Sequence, residues 1–102
     1  MFTTIGFDRN DHTGQKSQLL QNSPNPFNTS TTIKYKIGRY SSVRIIIYNL
    51  LGERIKVLVN NDLKPGQYQT SWDGTNQEGR PVPGGMYLCR IYTENNSDLI
   101  KM

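Results

Sequence analysis

The feature that most limits what this chain can fold into is a period of two that keeps restarting. TTIKYKI places Ile33, Tyr35 and Ile37 on one side of a strand and Lys34 and Lys36 on the other. SVRIIIYNL sets Val43, Ile45 and Ile47 against Arg44, Ile46 and Tyr48. ERIKVLVN repeats the alternation through Ile55, Val57 and Val59, and GQYQTSWD through Tyr68, Thr70 and Trp72. GGMYLCRIYTE continues it through Tyr87, Cys89 and Ile91, and DLIKM opens a last strand. Successive side chains of a strand point to opposite faces, so each segment has one face to bury. β-branched and aromatic residues fit such a half-buried surface. No segment carries the three-to-four-residue spacing of a competing helix.

The breaks between these segments are turns. Gly52 in NLLGE suits a positive-φ position, and Pro65-Gly66 in NDLKPG suits a type II turn. Pro24 and Pro26 in LLQNSPNPFN force extended geometry on their predecessors, which predicts an edge segment or turn. Residues before about 18 are polar and without period, as in a linker or tail. About seven short segments separated by turns predict an all-β fold. The expected form is an immunoglobulin-like antiparallel β-sandwich spanning residues 19–102 after a polar linker at 1–18. The 102 residues suit one domain. The single Cys89 excludes an intrachain disulfide and a cysteine-built zinc site. Packing around Trp72 must then do the work of the cross-sheet disulfide of antibody domains.

The search for chemistry is mostly negative. The only histidine, His12, lies in the polar tail, away from any orienting partner for a nucleophile. Cys89 falls on an inward face, where a thiol is inert. No carboxylate pair suits glycoside chemistry, and no phosphate-binding glycine motif occurs. The expectation is a non-enzyme without cofactor. In WDGTNQEGRPVPGGMY, Asp73, Asn76 and Glu78 could cage calcium, but the spacing fails the helix–loop–helix calcium pattern at Asp73-Gly74-Thr75. A turn explains each residue: Asp73 bonds the following amides, Gly74 takes positive φ, and Pro81 and Pro83 stiffen the return.

The net charge is +4, yet the basic residues are scattered and interleaved with acids, which argues against nucleic acid as a partner. No apolar run of transmembrane length occurs, and MFTTIGFDRNDH lacks the features of a signal peptide. Carbohydrate binding stays open through Tyr40, Tyr48 and Tyr92, which are candidates for exposed sugar platforms.

Several motifs occur in a set order. They are QNSPNPFN (Asn25, Pro26, Phe27, Asn28), YNLLG (Tyr48, Leu51, Gly52) and LKPGQY (Pro65, Gly66, Tyr68). WDG (Trp72, Asp73, Gly74), PGGMY (Gly85, Tyr87) and a terminal Lys101-Met102 follow. Together they resemble the type A C-terminal sorting domain of type IX secretion cargo in Bacteroidetes and related phyla. That domain is similar to the immunoglobulin-like domain of the flagellar hook-capping protein. The resemblance covers Leu19 to Met102. It implies a non-catalytic address label at the end of a larger cargo protein. It also implies recognition by the outer-membrane translocon from the periplasm, removal by a sortase-like peptidase, and delivery to the cell surface. The polar segment before Leu19 would be the linker from the cargo. The family usually continues past its Lys-Met pair with apolar residues and a basic end, so the last strand is expected to be cut short at Met102. The alternative is a cell-surface binding or spacer module, carbohydrate-binding or hook-cap-like.

Overall fold

A computed structural model describes residues 17–21, 30–94 and 96–102. Among them run seven strands: β1 (Gln18–Leu19), β2 (Thr31–Ile37), β3 (Ser41–Tyr48), β4 (Arg54–Leu63), β5 (Gly66–Trp72), β6 (Leu88–Tyr92) and β7 (Ser97–Lys101). They form two antiparallel sheets, one ordered β1-β2-β5 and the other β4-β3-β6-β7. The fold is therefore the expected all-β sandwich.

The period of two is realised almost residue by residue. Ile33, Tyr35 and Ile37 of β2 are buried while Lys34 and Lys36 are exposed. Val43, Ile45 and Ile47 of β3 meet them from the other sheet, joined by Cys89 and Ile91 of β6 and Ile100 of β7. Trp72 ends β5 fully buried, edge-on to Tyr87 with ring centroids 5.1 Å apart. That aromatic pair packs within the core, and Cys89 remains a free, buried thiol. Burying a large aromatic contributes on the order of 2–3 kcal/mol by area alone.

Strand β4 departs from the expected alternation. The register with β3 slips twice, between Ile45 and Ile46 and between Ile47 and Tyr48. Val59 pairs with Ile45 but Val57 pairs with Ile46, which leaves Leu58 as an extra residue. A β-bulge of this kind turns two successive residues toward the same side. Leu58 and Val59 therefore both pack on the core, while Val57 is carried to the outward face beside Ile46. The expected inward set of Ile55, Val57 and Val59 is thus Ile55, Leu58 and Val59. Pro65-Gly66 also differs from expectation. Gly66 has φ 153°, far from the roughly +80° of a type II turn, and it already belongs to β5.

β1 touches both sheets. It pairs with β2 through backbone bonds, and on its other side it lies along β7. Leu19 N–H donates to Asp98 Oδ2 at 3.0 Å, Asn96 Nδ2 to the Ser17 carbonyl at 2.9 Å, and Gln21 Nε2 to the Lys101 carbonyl at 3.0 Å. The partners advance together, so β1 and β7 run parallel. Each of these bonds uses a side chain where a sheet would use a second backbone group. The backbone donors of an edge strand are satisfied without extending either sheet.

Candidate functional site

The motif residues gather at one end of the sandwich. Thr31 pairs with Trp72, Tyr48 with both Arg54 and Leu88, and Leu88 with Lys101. Past these last rungs come the 49–53 turn, the 73–86 loop and Met102. Asn25, Pro26, Phe27 and Asn28 lie outside the described residues. Pro65, Gly66 and Tyr68 sit at the opposite end, where Tyr68 Oη donates to the Lys64 carbonyl.

Each turn at the motif end is closed from within. In the 49–53 turn, Asn49 Oδ1 accepts from the Leu51 and Glu53 amides, and Gly52 supplies a φ of 86° that other residues rarely adopt. In the long loop, Asp73 Oδ1 accepts from the Thr75 amide and hydroxyl, and Gly74 takes φ 79°. Asn76 Oδ1 accepts from the Glu78 and Arg80 amides, and Trp72 Nε1 donates to the Thr75 carbonyl at 2.8 Å. The Thr75 hydroxyl holds the Asp73 carboxyl below its ordinary value, with Lys56 Nζ at 3.8 Å contributing less. Asp73 Oδ1 and Asn76 Oδ1 are thus committed to the loop's own amides and to the Thr75 hydroxyl. Tyr87 Oη donates to the Pro83 carbonyl, which closes the loop onto the ring that packs against Trp72. Gly85 adopts φ 136° just before it.

Lys101 and Met102 divide their roles. Lys101 is exposed, whereas Met102 is 3% exposed and belongs to the core. Its amide donates to the Tyr87 carbonyl at 2.8 Å. The apolar side chains left in water at this end are Leu50 (61% exposed), Leu51 (85%) and Met86 (49%). Leu50 follows β3 and Met86 precedes β6, each two residues beyond the paired Tyr48 and Leu88. The end is therefore a rigid set of turns with an apolar tip. Leu51 was marked by its motif, whereas Leu50 and Met86 are legible only from the topology.

A second surface is the outward face of the four-stranded sheet. Register defines three rungs across it: Asn60–Arg44–Tyr92–Ser97, Val57–Ile46–Arg90–Leu99 and Arg54–Tyr48–Leu88–Lys101. Tyr48 and Tyr92 lean toward each other from the outer two rungs and join their hydroxyls at 2.7 Å. Ile46, on the rung between them, is only 1% exposed although it points away from the core. The Arg44 and Arg90 guanidiniums lie 5.0 and 5.8 Å from the Tyr92 ring centroid. Partial burial, then the bond to Tyr92, pushes the Tyr48 hydroxyl up from its ordinary value. The Tyr92 ring thus carries guanidinium groups where a sugar platform would need an open face. Tyr40, by contrast, is 60% exposed and lies apart from this pair on the chain. Three consecutive isoleucines in β3 were the sequence signal for this surface, because a continuous apolar run marks a strand covered on both faces.

Catalytic candidates fare differently. Cys89 is fully buried, and burial pushes its thiol up to about 12, so it stays protonated at neutral pH. His12 lies outside the described residues. A groove of about 330 Å³ beside β2 and β5 is lined by Leu20, Lys34, Tyr35, Gln67, Tyr68 and Gln69. It offers amides and one cation but no acid–base pair. No helix among the described residues is long and apolar enough to cross a membrane.

The family described as the FlgD Ig-like domain matches residues 27–97, well over half of the chain. No curated protein matches the chain. The chain belongs to the FlgD Ig-like domain family.

Proposed function

We propose that the domain is a non-catalytic sorting module. It directs a larger cargo through the type IX outer-membrane translocon to the cell surface. One observation carries the reading. Apart from Pro65, Gly66 and Tyr68, the described motif residues converge on one end of the sandwich, where internal hydrogen bonds fix the turns and Leu50, Leu51 and Met86 remain in water. A catalytic site would aim its polar groups at a substrate. Here they are used to hold a shape, which suits a surface that another protein reads. On this reading the translocon and a sortase-like peptidase are the partners, and the polar stretch before Ser17 connects to the cargo.

The test is a reporter fused ahead of residues 13–102 in a host that runs type IX secretion. The expected result is reporter at the cell surface or in the medium. Reporter retained in the periplasm, also when a short apolar and basic extension follows Met102, would sink the idea. A second reading, a hook-cap-like spacer, is favoured by the family match itself. A full reading frame set among flagellar genes, without a large catalytic region upstream, would select it.

A further inference from the structure

We propose that the outward face of the four-stranded sheet docks an acidic polypeptide segment that also carries apolar side chains. The three rungs across that face hold Arg44, Arg54, Arg90 and Lys101 and no Asp or Glu; the face's acid is Asp62, one rung beyond Arg44 at its edge, where it accepts from the Ser42 hydroxyl at 2.7 Å. Among the described residues the ion pair is Lys56–Asp73, and Lys56 pairs with the core residue Ile47 rather than on one of those rungs. Among the described residues none of the four cations is therefore in a direct ion pair, and they outnumber the one acid at the edge of the face. Two of them are also held in place, because the Tyr92 ring lies under the Arg44 and Arg90 guanidiniums. A guanidinium fixed in this way has less freedom to lose on meeting a carboxylate, which it can bind through two parallel hydrogen bonds.

Charge alone would suit any polyanion, but the face is not only charged. Ile46 is sealed under the tyrosines, and Val57, Leu88 and Leu99 are half-buried around it. Arginine and tyrosine around an apolar centre is the composition of protein interfaces. A sulfated glycan or a phosphate backbone would meet the arginines and leave the aliphatic rungs uncovered. The outward face of the other sheet serves as an internal control. It also carries two cations, Lys34 and Lys36, but surrounds them with Thr32, Gln67, Gln69 and Ser71 and one exposed apolar side chain, Leu20. This inference does not rest on the sorting reading, since a spacer domain would present the same face.

The experiment measures binding of the 102-residue chain to a labelled glutamate–tyrosine copolymer by fluorescence anisotropy at low salt, with heparin and duplex DNA as rival probes. The copolymer is expected to bind most tightly. Replacing two charge-assisted contacts through Arg44→Gln with Arg90→Gln should weaken it about tenfold or more. The Lys34→Gln with Lys36→Gln variant should change it less than about twofold, because distant charges are screened within a Debye length. Urea midpoints report whether each variant is folded. Should the arginine pair prove necessary for folding, Arg54→Gln with Lys101→Gln tests the same face through two exposed side chains. Absence of copolymer binding, equal losses from the arginine and lysine variants, or heparin or DNA binding as tightly through the same arginines would each overturn the proposal.

Discussion

The two outward faces of this sandwich are both built from antiparallel strands and end up unlike each other. On the three-stranded sheet, Lys34 and Lys36 alternate with core residues and stand in water among glutamines, threonine and serine. On the four-stranded sheet the outward positions hold Ile46 and Val57 as well as arginines and tyrosines, and Ile46 is as inaccessible as the core. The difference teaches where strict alternation ends. One face that alternates cleanly is a solvated skin. One that breaks the pattern with RIIIY and a bulge forms a small second layer of packing, roofed by Tyr48 and Tyr92.

The largest effect should come from neighbours on opposite sides of one strand. Ile45→Ala, which empties part of the central core, should cost about 2–5 kcal/mol by urea denaturation. Ile46→Ala should cost less, about 1–2 kcal/mol, because side chains at a surface can settle over the gap and water can enter it. Equal losses would erase the distinction between the two layers. Next in size, Tyr92→Phe removes the hydroxyl that meets Tyr48 and should cost about 0.5–1.5 kcal/mol. Loss of nothing measurable would mean that the two hydroxyls serve water equally well.

Alkali should weaken the fold through the same pair. The Tyr48 hydroxyl is raised above its ordinary 10.0, first by burial and then by Tyr92, and Tyr35 is raised by burial and by Tyr68. The unfolded chain therefore gives up these protons first. Their stabilisation is complete below pH 10 and is lost as pH climbs through the higher folded values. Denaturation midpoints should fall above pH 10, and Tyr48→Phe should flatten part of that fall. The smallest effect belongs to the polar face, where Lys34→Gln should stay within about 0.5 kcal/mol.

Much of this was legible in the sequence because strand alternation is a local property. Ile33, Tyr35, Ile37, Val43, Ile45, Ile47, Trp72, Cys89 and Ile91 could each be assigned inward from their immediate neighbours. The turn roles of Asp73, Gly74 and Gly52 were equally local. The displacement of Val57 was not, because a bulge is defined by two strands and leaves no mark on one. Neither was the apolar tip, since the strand ends that carry Leu50 and Met86 are made neighbours only by topology. The seat of Met102 against Tyr87 and the side-chain bonds from Ser17, Leu19 and Gln21 to β7 are likewise long-range.

Those bonds between β1 and β7 have a mechanical consequence. The two strands point the same way, so Ser17 lies at one end of the joint and Met102 near the other. Tension applied between those residues would drag the strands past one another lengthwise. The Asn96, Asp98 and Gln21 contacts would then bear load at the same moment rather than opening in turn. A zipper pulled along its teeth resists far more than one pulled from its end. A pull between Ser17 and Met102 therefore shears this joint rather than peeling it open from the edge.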